Sequence, residues 1–126
     1  MKESKHPIQH AADILRILTL NKWGGIYLDT DMIVTRSLEQ LPSNFVAKQN
    51  HLLIASGILA FAKDEIGTNV TNAIINQIFQ HFNPKAWAAN GPDAIHAVIK
   101  RICPKVIKSA KYKSKPINNC KGMSLM

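Results

Sequence analysis

The sequence predicts an α/β fold in a single domain, on three observations. Apolar residues recur at helical spacing through residues 8–22. A short apolar run, Ile26-Tyr27-Leu28, ends in two acids, Asp29 and Asp31. Two further β-prone stretches are then followed by two more helical patterns. The 126 residues suffice for one small domain with its own core, and 46% apolar with 19% charged residues is a globular composition.

The first helix is expected over residues 8–22, with Ile8, Ala11, Ala12, Ile14, Leu15 and Leu18 as its apolar stripe. Asn21 lies near its C-terminal end, and Gly24-Gly25 stop it. Asp13 and Arg16, three apart, share a face, and by themselves read as a surface ion pair of little energetic weight. Ile26-Tyr27-Leu28 fits a buried strand, which puts Asp29 and Asp31 at its carboxyl end, where open α/β sheets present their ligands. Met32 to Thr35 continues as extended chain, and Leu38 to Pro42 is a turn.

Phe45 to Lys48 and Leu52 to Phe61 are the next strands. Gly57 within the second marks a bulge or a close approach of backbone to ligand. Thr68 or Asn69 caps a helix running to about Gln80, with Val70, Ile74, Ile75, Ile78, Phe79 and Phe82 as its stripe, and Asn83-Pro84 stop it. Asn90-Gly91-Pro92-Asp93 opens a third helix, with proline in the first turn and an acid near the positive dipole end. Its buried side is Ala94, Ile95, Val98, Ile99 and Ile102, and Pro104 stops it.

The formal charge is +8, concentrated late at Lys100, Arg101, Lys105, Lys108, Lys111, Lys113, Lys115 and Lys121. A basic flank of this kind is usually solvated. No nucleic-acid-binding motif accompanies it, and the aromatics, 6% of the chain, do not interleave with the lysines. Nucleic acid is therefore not an expected partner. No run of about 18 apolar residues exists, and Met1 to His6 leads into an amphipathic segment rather than a signal-type apolar core. That start suits a cytosolic protein or a chain beginning partway through a longer one.

Cys103 and Cys120 enclose a lysine-rich loop; they are two thiols in a reducing compartment or a bridge in an oxidising one. Asn69-Val70-Thr71 is a glycosylation sequon, a weak pointer to a lumenal location. His6, His10, His51, His81 and His96 show no zinc-site spacing and read as surface or core residues. Trp23 reads as a core residue. Trp87 precedes Asn90-Gly91-Pro92 in a loop, where packing and stacking on an acceptor sugar are the two readings.

Two carboxylates one residue apart after an apolar strand repel each other unless a cation lies between them. Mg²⁺ and Mn²⁺ take hard oxygen ligands, typically one or two carboxylates plus substrate phosphates. The stretches His10 to Arg16 and Gly24-Gly25-Ile26-Tyr27-Leu28-Asp29-Thr30-Asp31, with Ser56 to Phe61, Asn90 to Ile95 and the two cysteines, resemble the α-1,4-glycosyltransferases with a DXD sugar-binding region. The resemblance runs from Ile8 to Cys120, as a sugar-binding region over 8–42 and a carboxyl-terminal part over 45–120, with 121–126 as a tail.

The resemblance implies a partial type A, Rossmann-like nucleotide-sugar transferase fold and retaining transfer of galactose or N-acetylglucosamine from a UDP-sugar to a glycolipid or glycan. Such enzymes belong to glycosphingolipid synthesis on the lumenal side of the Golgi membrane and use Mn²⁺ or Mg²⁺. On this basis Asp31 binds metal and diphosphate, and Asp29 contacts the ribose and positions the metal. Asp13 and Arg16 hold donor-sugar hydroxyls, Gly25 gives close backbone access, and Tyr27 belongs to the same donor site. Trp87, Asn90 and Gly91 are the acceptor-site candidates, and Cys103 pairs with Cys120. Ser56 stands where the family pattern has Asn. The family's uridine-holding strands and membrane anchor would precede Ile8, so the chain reads as a fragment; the rival reading is an inactive remnant kept as a binding domain.

Overall fold

A computed structural model describes residues 4–50, 53–104 and 117–126, except for the side chains of 117–119. The elements are α1 (Pro7–Trp23), β1 (Gly25–Leu28), β2 (Phe45–Lys48), β3 (Ile54–Phe61), α2 (Glu65–His81), α3 (Pro92–Ile102), β4 (Ile117–Cys120) and β5 (Met123–Leu125). The strands form one mixed sheet in the order β1-β3-β2-β5-β4. Only β2 and β5 run parallel. All three helices pack against β3. The core between them holds Ile17 and Leu20 of α1, Leu59 and Phe61 of β3, Ile74 and Ile78 of α2, and Ile95 and Ile99 of α3. The expected α/β class is the observed one.

α1 has the expected extent but the opposite face inward. Its buried residues are His10, Asp13, Arg16, Ile17 and Leu20, whereas Ile8 is 85% and Leu15 58% exposed. The amino-terminal three turns thus bury a polar stripe and leave much of the expected apolar one outside. Trp23, expected in the core, is exposed, with the Lys22 ammonium 4.4 Å from its ring centre. Gly24 turns the chain at φ +70°, and a Cβ there would stand 2.9 Å from the Lys63 nitrogen. Only glycine has both the backbone freedom and the clearance.

β1 is an edge strand rather than the expected buried one. It pairs with β3 alone among the described residues, and Gly25 and Ile26 are exposed. The β2–β3 register slips between Val46↔Leu59 and Lys48↔Ile54, so the irregularity expected around Gly57 is present. The group that approaches Gly57 is a carboxylate of the chain itself: a Cβ there would lie 2.8 Å from Oδ2 of Asp29. Leu52 and His51 fall outside the described residues.

α2 begins at Glu65, earlier than a Thr68 or Asn69 cap would place it. Asp64 is the cap, its Oδ1 accepting from the Gly67 N–H at 2.8 Å. The Asn44 amide holds Asp64 through both carboxylate oxygens and accepts from the Ala62 N–H. The buried stripe is Gly67, Val70, Thr71, Ile74 and Ile78; Phe79 lies off it and is exposed. Asn69 of the sequon is exposed on this helix, while the Thr71 hydroxyl is buried and donates to the Gly67 carbonyl.

Residues 121–126 are not a tail. Lys121 and Gly122, both at positive φ, make a two-residue turn between β4 and β5, a geometry that suits hairpins. β5 is buried throughout and runs parallel to β2, and the Met126 N–H continues the pairing to the Val46 carbonyl. Cys103 and Cys120 form a disulfide that ties the end of α3 to β4, with Cα atoms 5.7 Å apart. Lys105, Lys108, Lys111, Lys113 and Lys115 lie outside the described residues.

Candidate active site

Chain geometry explains how one helix and one strand meet in a site. Asp13 lies ten residues before Trp23, about 15 Å of helix at ~1.5 Å per residue. Asp29 lies five residues past Gly24, about 16 Å of strand at ~3.3 Å per residue. The reversal at Gly24 therefore folds Asp29 back to the level of Asp13 and Arg16.

Arg16 joins the two acids. Nη2 is 3.1 Å from Oδ1 of Asp13, and Nη1 is 3.5 Å from Oδ1 of Asp29. Nη1 also donates to the Ser56 carbonyl at 2.6 Å, and the guanidinium carbon lies 4.8 Å from the Tyr27 ring centre. Because the Ser56 contact uses backbone, the departure from the family pattern there leaves it intact. The Tyr27 hydroxyl donates to Oδ1 of Asp29 at 2.7 Å. Burial pushes the Tyr27 phenol up, and its bond to Asp29 adds to the rise.

The Asp29 N–H donates to the Gly57 carbonyl at 2.8 Å, and the Met32 N–H donates to the Asp29 carbonyl at 3.0 Å. This closes a tight turn over Asp29-Thr30-Asp31-Met32. Asp31 projects from the turn, exposed. An open groove lined by Leu28, Met32, Ile33, Val34, Leu38 and Ile58 flanks it.

Asp13 is the buried end of the network. Its Oδ1 receives Arg16 and the Gln9 amide, while Oδ2 is buried without a hydrogen-bond partner. Burial pushes this carboxyl above the usual carboxylate range, against the pull of Arg16, Gln9 and His10, and Asp29 adds to the rise. Gly91 covers it so closely that a Cβ there would collide with the carboxylate.

The acceptor-site candidates separate. Trp87 lies outside the core, exposed, and its ring packs edge-on against His6 with centres 4.8 Å apart. Asn90 is fully buried and faces no acceptor: its Oδ1 accepts from the Asn83 N–H and its Nδ2 donates to the Asn83 carbonyl, closing the loop before α3. Gly91 belongs with Asp13. Gly25, at φ +112°, has open space where a Cβ would stand.

His10 escaped the sequence reading as a site component. It is wholly buried, with Nδ1 2.6 Å from the Ser4 hydroxyl and Nε2 2.7 Å from the Ala86 carbonyl. It thereby fastens α1 to the loop bearing Trp87 and Gly91. The available signal was its spacing of three from Asp13 and six from Arg16, a polar helical stripe.

The donor set fits a hard divalent cation shared with phosphate. Among the described residues no hydrogen bond reaches Oδ2 of Asp29, and Asp31 is exposed on the same turn. Among those residues, no cluster of three or more His, Cys, Asp or Glu could hold an ion by itself. Carboxylates from one turn leave most of a coordination shell to be completed by substrate oxygens and water.

Residues 1–49 match the glycosyltransferase sugar-binding region containing a DXD motif. Residues 63–126, half of the chain, match the alpha 1,4-glycosyltransferase conserved region. Lactosylceramide 4-alpha-galactosyltransferase of Rattus norvegicus is 34% identical over 92 residues, 73% of this chain and 24% of the relative. The Homo sapiens protein of that name is 32% identical over 92 residues, covering 73% of this chain and 25% of its own. Alpha-1,4-N-acetylglucosaminyltransferase of Homo sapiens is 27% identical over 93 residues, 74% of this chain and 26% of its own. The chain thus spans about a quarter of the length of these curated relatives. No solved structure matches. With the Asp29-x-Asp31 turn inside the first matched region and α2, α3 and the disulfide inside the second, the chain belongs to the α-1,4-glycosyltransferase family.

Proposed function

We propose that the protein takes part in transfer of a hexose from a UDP-sugar to a hydroxyl of a glycolipid or glycan, forming an α-1,4 linkage with retention. The observation that carries this is the Asp13–Arg16–Asp29 chain ending in a turn that bears half-buried Asp29 and exposed Asp31. Galactose and N-acetylglucosamine are the donor sugars, by analogy with the relatives' names. The sequence alone offers no nucleophile for a double displacement.

Asp29 and Asp31 supply hard oxygens on one turn, and Mn²⁺ or Mg²⁺ bound there with the diphosphate would offset charge on the departing UDP. Asp13 keeps an unpartnered oxygen, Oδ2, beside Arg16, but it is sealed beneath Gly91, so holding a sugar hydroxyl there requires the loop before α3 to draw back. Arg16 compensates both acids before any ligand arrives. Gly25 leaves room at the open edge of β1 for a close approach of the nucleotide. Trp87 offers an exposed aromatic face on the loop across from α1, where an acceptor sugar could stack. The Cys103–Cys120 bridge suits the oxidising lumen in which Golgi enzymes of glycosphingolipid synthesis work, and exposed Asn69 is its candidate glycosylation position.

Calorimetry of UDP binding with and without Mn²⁺ tests the reading, beside hydrolysis of UDP-galactose and UDP-N-acetylglucosamine. Asp31→Asn should abolish the Mn²⁺-dependent part of UDP binding and leave the melting temperature unchanged, since the side chain is exposed. UDP affinity that ignores both Mn²⁺ and this substitution would remove the two-acid turn from the donor site.

A further inference from the structure

The two oxygens of the Asp29 carboxylate are treated differently. Oδ1 accepts from the Tyr27 hydroxyl at 2.7 Å and stands 3.5 Å from Nη1 of Arg16. Oδ2 takes no hydrogen bond among the described residues. It lies over Gly57, where a Cβ would stand only 2.8 Å away. The two groups on Oδ1 also brace each other, because the Arg16 guanidinium lies over the Tyr27 ring and is tied to the Ser56 carbonyl.

We infer that Tyr27 is a positioning residue whose hydroxyl, with Arg16, commits Oδ1 of Asp29, so that Oδ2 alone is offered to a divalent cation. The inference rests on the proposed cation-dependent donor binding and deepens it. A carboxylate held through one oxygen ligates through the other. Single-oxygen ligation suits the small, strictly octahedral Mg²⁺ and its oxygen-preferring neighbour Mn²⁺, whereas Ca²⁺ readily takes a carboxylate through both oxygens. The Tyr27 hydroxyl therefore sets which cation the turn prefers as well as how tightly it is held. Gly57 lets Oδ2 and the Met32 methyl sit side by side over the backbone, where a Cβ would stand 2.8 Å from the one and 2.9 Å from the other.

The experiment measures Mn²⁺ and Ca²⁺ affinity by calorimetry in the presence of UDP, without turnover, for the protein and three variants. Tyr27→Phe keeps the ring under Arg16 and removes only the hydroxyl. It should weaken Mn²⁺ about 10-fold, as loss of a group orienting a ligand does, and weaken Ca²⁺ less, so that the Mn²⁺/Ca²⁺ preference falls. A merely structural role would lower both alike and leave the ratio unchanged. Gly57→Ala crowds Oδ2 and the Met32 methyl beside it with the Tyr27 hydroxyl in place, and it should also weaken Mn²⁺. Asp29→Asn should remove most Mn²⁺ binding; if it does not, the cation-binding reading itself fails. If Asp29→Asn does weaken Mn²⁺ but Tyr27→Phe keeps the wild-type ratio, that reading stands and the role of Tyr27 is overturned. Should Tyr27→Phe fail to fold, unchanged Mn²⁺ affinity in Gly57→Ala overturns it instead.

Discussion

Gly91 sits directly on the carboxylate of Asp13: the residue that opens α3 is packed against a buried acid on α1, with no room between them for a methyl group. The contact couples the loop before α3 to the Asp13–Arg16–Asp29 network. Gly91 has φ −132°, so glycine is required there for clearance rather than for a left-handed backbone.

Gly91→Ala should therefore destabilise the fold by about 1–3 kcal/mol, the range for forcing a methyl into a packed interior. Urea denaturation measures it. The loss should shrink when Asp13→Ala is added, because the clash is with that one side chain, and two independent losses that simply add would contradict the contact.

Asp13 gives the fold a pH dependence of definite sign. Its carboxyl is pushed up by burial, so the folded state holds this proton more tightly than the unfolded chain does. The contribution of Asp13 to stability is then greatest below its unfolded pKa. It declines as pH rises to the folded value and is constant above that. Asp13→Asn, neutral throughout, should gain stability relative to the wild type as pH rises from about 3 to about 7. Paired denaturant titrations across that range measure the difference. A difference that moves the other way would mean that Arg16 outweighs burial.

Much of the layout was legible because local chemistry and tertiary demand agree. The Gly24-Gly25 stop, the β2 strand, Pro92 in the first turn of α3 and its stripe of Ala94, Ile95, Val98 and Ile99 all follow from propensity and period. Period misled at α1, whose inward face is His10, Asp13 and Arg16 while Ile8 and Leu15 face out. An apolar stripe marks the inward face only where the interior is apolar, and here the first three turns line a polar site. β1 looked buried because edge position depends on which strands pair, which a short run of Ile, Tyr and Leu does not encode. β5 was missed because three residues are too few for a period, and the Lys121-Gly122 turn is a weak hairpin signal beside Asn-Gly. Asp29 and Asp31 were readable from their place after a strand, whereas the spacing of Asp13 and Arg16 suggested a surface pair and the structure buries both. The Arg16 bridge between Asp13 and Asp29 was not readable, since it depends on helix and strand lengths matching across the Gly24 reversal.

The Cys103–Cys120 bridge spans a sequence separation of 17, so in the chain-entropy view it is worth about 3 kcal/mol. Replacing both cysteines by serine should lower the denaturation midpoint accordingly, and a reductant should do the same to the wild type. β4 and β5 should loosen first, because the bridge is what joins β4 to the end of α3. Hydrogen exchange of the β5 amides follows this directly.

Arg16 offers the sharpest test of the network, because its loss leaves a buried acid without the guanidinium that faces it. Arg16 is 5% exposed, and the Asp13 side chain it serves is fully buried. Removing one partner of a buried pair typically costs about 3–5 kcal/mol, more than the pair itself contributes, since the remaining charge has lost both water and counterion. Arg16→Met keeps much of the stem's packing and should show a loss of that order by denaturant titration. Adding Asp13→Asn removes the stranded charge and should recover about half of it or more. Arg16→Lys should fall between the wild type and the methionine variant. It restores the charge, but one ammonium cannot reach Asp13, Asp29 and the Ser56 carbonyl as the planar fork does. If Arg16→Met and the double variant were equally unstable, the cost would lie in lost packing, and Arg16 would not be the counterion of Asp13.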